Sequence, residues 1–155
     1  MGVAPEAHVI SLKAASVDGS TDVGSVIAAI EWAVAHRHQL SIGVLLLAFG
    51  ADQLPTGQHD PLAAAVRRAW KAGIVVVTSS GNGGQDGPLA TPAHIDEVLT
   101  VAGVEHLDGR WTLCDFSDRG DAQRRPDLAA PGRSIVGPVA PGSSSEDAPE
   151  SSFVA

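Results

Sequence analysis

The run Ala72-Gly73-Ile74-Val75-Val76-Val77-Thr78-Ser79-Ser80-Gly81-Asn82 carries three instructions in eleven residues. Gly73 follows a segment of helical spacing and suits the left-handed stop that ends a helix. Residues 74–78 are apolar on both faces and rich in β-branched side chains, the pattern of a strand buried on both sides in a parallel sheet. The chain then leaves through Ser79, Ser80, Gly81 and Asn82 into a Gly-, Ser- and Pro-rich stretch that reaches Pro92. Open α/β sheets place their ligand sites at that carboxyl edge of a strand.

Working outward, residues 8–12, 42–49 and 98–104 are further short runs enriched in Val, Ile and Leu, each expected to be a strand. Two helical patterns lie between the strands. Val23, Val26, Ile27, Ile30 and Val34 share one face, with Ser20 or Thr21 as N-cap. The second starts at Asp60-Pro61, a cap followed by a first-turn proline, and runs through Leu62, Ala65, Val66 and Ala69 to Gly73. Strands alternating with helices predict an α/β fold, an incomplete doubly wound and mostly parallel sheet flanked by helices. Residues 137–155, rich in Pro, Ser, Gly and acids, read as a loop or tail beyond a domain over residues 1–136.

Composition narrows the function classes. The 155 residues are 44% hydrophobic and 18% charged, enough apolar content for one domain with a core. A net charge of -8 without any Lys/Arg-rich run disfavours nucleic acid and anionic membranes as partners. The longest apolar stretch, residues 44–49, falls far short of the ~20 residues that span a bilayer. One cysteine, Cys114, excludes an internal disulfide and a cysteine-rich metal site, and no cofactor or metal is expected. Met1-Gly-Val-Ala-Pro-Glu has neither the basic nor the apolar region of a signal peptide, so the chain as written reads as cytoplasmic.

Several segments in order resemble the subtilisin-like serine protease family. Gly2-Val3-Ala4-Pro5 with the run after it resembles the segment following the helix that bears the catalytic histidine. Ile30-Glu31-Trp32-Ala33 is similar to the family's next helix, and Leu47-Ala48-Phe49-Gly50 stands where its Ser-Leu-Gly edge strand pairs with an extended substrate. The run 72–82 matches the strand and turn that deliver the oxyanion-hole asparagine, and Thr91-Pro92-Ala93 the proline loop after it. Phe116-Ser117-Asp118-Arg119-Gly120 and Arg125-Pro126-Asp127-Leu128-Ala129-Ala130-Pro131-Gly132 resemble its Phe-Ser-x-x-Gly and Lys-Pro-Asp-x-x-Ala-Pro-Gly segments. Gly-Asn-Gly alone is only a turn; seven segments in register are specific.

The resemblance implies a peptidase domain in which Asn82 donates to the oxyanion, Ala48, Phe49 and Gly50 pair with substrate, and Ser79, Ser80 and Gly81 line the primary specificity pocket. It also implies a peptide or protein substrate, and the family is often secreted. The family's triad order is Asp, His, Ser, with serine in a Gly-Thr-Ser-x-Ala helix start. No such segment occurs here, and none of His8, His36, His38, His59, His94 and His106 stands in a His-Gly-Thr context. Asp18-Gly19-Ser20 is not the family's aspartate motif and reads as a helix cap. A serine without a base in reach is a weak nucleophile.

The expectation is therefore a truncated or degenerate endopeptidase domain, inactive alone, whose uncovered sheet faces pair with a second copy or a complementing chain. One alternative is a non-catalytic peptide-binding module that uses the edge strand. The other is a nucleotide- or phosphate-binding α/β domain with residues 79–84 as an anion cradle. The latter is disfavoured, because a Pro-rich loop follows the glycines where that reading needs a helix, and no Walker lysine is present.

Overall fold

The computed structural model describes residues 3–16, 20–50, 60–84 and 86–135. The tail expected over residues 137–155 lies outside them, as do Asp18, Gly19 and His59. The element order is α1 (Val23–His36), β1 (Val44–Leu47), α2 (Pro61–Lys71), β2 (Val75–Ser79), β3 (Val98–Leu107), β4 (Arg110–Leu113) and β5 (Leu128–Pro131).

Both helices begin at an aspartate whose carboxylate takes up orphan backbone donors. In α2, Asp60 accepts from the N–H groups of Leu62 at 2.8 Å and Ala63 at 3.2 Å, and Pro61 opens the first turn. The helix ends as expected at Gly73, with φ +81°, where the Ile74 N–H reaches back to the Ala69 carbonyl. In α1 the cap is Asp22, not Ser20 or Thr21. Asp22 accepts from the Ser25 N–H at 2.9 Å, while the Thr21 hydroxyl donates to the Ala14 carbonyl.

Strands β1, β2 and β3 are parallel, in the register Leu45↔Val76 and Val76↔Val98. β5 adds in parallel to β3, and β4 pairs antiparallel with the far half of β3. Asp108 (φ +49°) and Gly109 (φ +78°) make the two-residue hairpin turn that β4 requires. The architecture is α/β, with a largely parallel sheet.

The register sorts the sheet into two unlike faces. Leu45, Leu47, Val76, Thr78, Val98, Thr100 and Ala102 share one face. Leu47, Val76 and Val98 there form one core with Val26 and Ile30 of α1 and Leu62, Ala65, Val66 and Ala69 of α2. Val44, Leu46, Val75, Val77, Leu99, Val101 and Leu128 share the other face. Among the described residues no helix packs there, and Val44 and Leu46 are 62% and 68% exposed. The apolar runs thus predicted burial on both sides, and helices supply it on one.

The strand expected over residues 8–12 does not form. That segment has no ladder partner among the described residues, and Val9 is 89% exposed. Apolar composition cannot make a strand without a neighbour to take its N–H and C=O groups. Leu12 and Ala14 instead line an apolar groove of about 260 Å³ with Val26 and Ile30 of α1 and the β1 edge.

Candidate functional site

The carboxyl ends of β1 and β2 lie side by side, since Leu47 pairs with Thr78 and the Thr78 hydroxyl donates to the Leu47 carbonyl at 2.8 Å. Ala48, Phe49 and Gly50 leave the first strand and Ser80, Gly81 and Asn82 the second, so the structure brings the two predicted groups to one edge. Ala48 and Gly50 are exposed, whereas Phe49 is half-buried and packs on the core. The segment therefore has two small residues open to a ligand and one ring that anchors it.

Asn82 is exposed on a turn that the rest of the protein holds tightly. The Asp118 N–H donates to the Gly81 carbonyl at 3.2 Å, and the Gly84 N–H donates to the Phe116 carbonyl at 2.6 Å. An Arg119 guanidinium N–H reaches the Gly84 carbonyl at 3.2 Å. Beneath them the Ser80 N–H donates to the Val101 carbonyl, and the Ser80 and Ser117 hydroxyls meet at 3.0 Å. Gly81 (φ +118°) and Gly84 (φ +63°) have backbone conformations that disfavour a side chain. Asn82 thus projects from a short loop fixed on both sides, as a preorganised donor needs.

Ser79 and Ser80 occupy different environments. Ser79 is exposed on the helix-free face of the sheet, while Ser80 is buried with its hydroxyl engaged by Ser117. A pocket built here would meet the backbone of Ser80 and not its hydroxyl. The sequence reading used Phe116-Ser117-Asp118-Arg119 as a landmark and missed its role as the clamp on the turn. That role pairs residues more than 30 positions apart, so no local pattern announces it.

Two further motifs brace β3 from behind. Thr91-Pro92 is a cis peptide, and the Thr100 hydroxyl donates to the Ala93 carbonyl at 2.9 Å. Asp127 accepts from the Thr100 N–H at 2.8 Å, returns its own N–H to the Thr100 carbonyl, and pairs with both terminal nitrogens of Arg124 at 2.8 Å. The Arg124 hydrogen bonds beside it hold the Asp127 carboxyl below the usual carboxylate range. These contacts start β5 alongside β3.

His36 ends α1, stacks on Trp32 with ring centroids 4.1 Å apart, and shares a hydrogen bond with the Trp32 carbonyl. His94 Nδ1 lies 3.3 Å from the Thr91 hydroxyl. Among the described residues there is no grouping of three His, Cys, Asp or Glu fit to hold a metal ion, and no helix long and apolar enough to cross a membrane.

The fold is thus of the α/β class, a largely parallel sheet with an asparagine turn and an exposed segment at its carboxyl end. The family model described as Subtilase family matches residues 1–153, and the chain belongs to the subtilase family. It is 33% identical over 155 residues to Serine protease AprX of Bacillus subtilis (strain 168), covering 92% of this chain and 35% of that protein. It is 32% identical over 138 residues to Subtilisin DY of Bacillus licheniformis, covering 87% of this chain and 45% of the relative. Among solved structures, Sphericase superposes with a TM-score of 0.67 at 21% identity, over 76% of this chain and 41% of the other, a likeness of fold. The chain thus spans less than half the length of these relatives.

Proposed function

We propose that this chain supplies the oxyanion donor and the substrate-pairing edge of a subtilisin-like serine endopeptidase, and that alone it does not turn over peptides. The supporting observation is the clamped turn that holds Asn82 exposed at the same carboxyl end of the sheet that Ala48 and Gly50 leave. An extended peptide pairing with residues 48–50 would lay a carbonyl near that turn. As attack on the carbonyl builds negative charge on its oxygen, the Asn82 carboxamide would donate an N–H to it.

Magnitudes separate this contribution from catalysis as a whole. In subtilisin, the reference case for the effect, losing the corresponding asparagine costs about 10²–10³ in turnover. Losing its nucleophile or base costs about 2 × 10⁶. No residue of this sequence fits either role, so the donor accounts for the smaller factor only.

The test combines a fluorogenic peptide substrate, a fluorophosphonate label and peptide binding followed by calorimetry. The expected result is binding of an extended peptide without serine labelling or cleavage, with binding weakened by Gly50→Pro. Serine labelling with turnover would overturn the proposed inactivity. Binding unaffected by Gly50→Pro would overturn the pairing edge.

A further inference from the structure

Asn82 is the only asparagine in the chain, and Gly83 follows it. Asparagine is among the chemically labile residues, because the next backbone nitrogen can attack its side-chain amide. A glycine in the attacking position favours that reaction, since it has no Cβ to crowd the closing ring and turns freely about φ. A fold suppresses the attack when it buries the pair or ties the attacking N–H into a helix or ladder.

The turn after β2 does neither. Asn82 and Gly83 are both exposed. The tethers stop on either side of them, at the Gly81 carbonyl, which accepts from Asp118, and at the Gly84 N–H, which donates to Phe116. Among the described residues the Gly83 N–H has no acceptor. The peptide between Asn82 and Gly83 can therefore turn toward the carboxamide without breaking either tether.

We propose that Asn82 is a site of spontaneous deamidation, with Gly83 as the attacking residue and water as the co-reactant. The Gly83 nitrogen gives up its proton and bonds to Cγ of Asn82. The Cγ–Nδ2 bond breaks, and Nδ2 leaves as ammonia with that proton. Water then opens the cyclic imide at either carbonyl, leaving aspartate or isoaspartate in place of the asparagine. The product adds a negative charge to a chain already at -8, next to Gly81, against which the Asp118 carboxylate lies. One consequence rests on the proposed catalytic role: conversion replaces the oxyanion donor by a group of the oxyanion's own charge. The deamidation itself needs only the exposed pair, so it stands or falls separately from that role.

The experiment is a timed incubation of the native chain in mildly alkaline buffer, beside a sample unfolded in urea, with peptide mapping by mass spectrometry. The peptide holding Asn82 should gain the mass difference between an amide and an acid, with fragment ions placing the change at 82 and not at Gln85. Isomerisation at Asp86-Gly87 or Asp108-Gly109 changes no mass, so only the mass-shifted product counts. The native rate should fall within about tenfold of the unfolded rate, a barrier difference of about 1.4 kcal/mol. Gly83→Ala, at a position without a positive φ, crowds the attacking nitrogen and should slow conversion about tenfold in both samples. The urea arm keeps that comparison valid should the variant fold poorly. A native rate more than about tenfold below the unfolded one would overturn the proposal. So would conversion that Gly83→Ala leaves unchanged, which would mean direct hydrolysis of the side chain.

Discussion

The hydroxyls of Ser80 and Ser117 meet at 3.0 Å in the interior, and the Ser117 oxygen also accepts the Gly103 N–H at 2.9 Å. One side chain thus joins the turn after β2 to the middle of β3. Ser117→Ala removes the acceptor and leaves a partly buried N–H without a partner, at a cost of about 1–3 kcal/mol. Ser80→Ala leaves that acceptor in place and should cost less. Urea unfolding of the two variants checks the order; equal losses would show that the Gly103 bond contributes nothing.

Asp127 makes the fold acid-sensitive in a definite direction. Its folded pKa is depressed, chiefly by the Arg124 hydrogen bonds, so its contribution is complete above the unfolded value of about 3.9. It is lost as pH falls through the folded value, where the native carboxylate finally takes up its proton. Asp127→Asn keeps an acceptor for the Thr100 N–H but removes the charge. The variant should be less stable at pH 7 by about 1 kcal/mol, a figure reduced for the solvent around the pair. Its stability should also decline less steeply below about pH 4–5. Parallel stability–pH curves for the two proteins would contradict this assignment.

Asn82 should matter little to folding. It is exposed on a turn whose tethers run through the backbones of Gly81 and Gly84, so Asn82→Ala should shift stability by no more than about 0.5 kcal/mol. Thermal melting of the variant measures this directly. A large loss would mean that the carboxamide is a structural bond and unavailable to a substrate.

How much of this was legible in advance depended on how local each signal was. α2 was readable at both ends because Asp60-Pro61 and Gly73 act within one helical turn. β2 and β3 were readable because a buried parallel strand needs a continuous apolar run. The Asp108-Gly109 turn of the β3–β4 hairpin is a standard sequence signal that the reading passed over. β5 was a different case, since Leu128-Ala-Ala-Pro has no strand pattern of its own. It pairs because Asp127 docks on Thr100 and Gly132 lies against the Gly103 backbone. The same limit applies to residues 8–12, which have a strand's composition but no ladder neighbour among the described residues. At the site, the Asn82 turn was visible through resemblance, whereas the Ser80–Ser117 contact exists only once the chain has folded.

The glycines around the turn give the last prediction, because they separate backbone strain from steric conflict. A Cβ at Gly84 would lie 2.3 Å from the Asp115 carbonyl oxygen, a backbone atom that cannot swing aside, at a φ of +63°. A Cβ at Gly81 would lie 2.1 Å from an Asp118 carboxylate oxygen, a side-chain atom and not backbone, at a φ of +118°. Gly43 meets nothing within 4 Å and has no positive φ. Gly84→Ala should therefore destabilise most, beyond the ~1–2 kcal/mol of left-handed strain alone. Gly81→Ala should lose the backbone strain together with the cost of displacing the Asp118 side chain, and Gly43→Ala should be neutral or slightly stabilising through the unfolded chain. Denaturant midpoints of the three variants rank them. A Gly84→Ala protein as stable as Gly43→Ala would mean that the Gly84–Phe116 tether is loose, and with it the placement of Asn82.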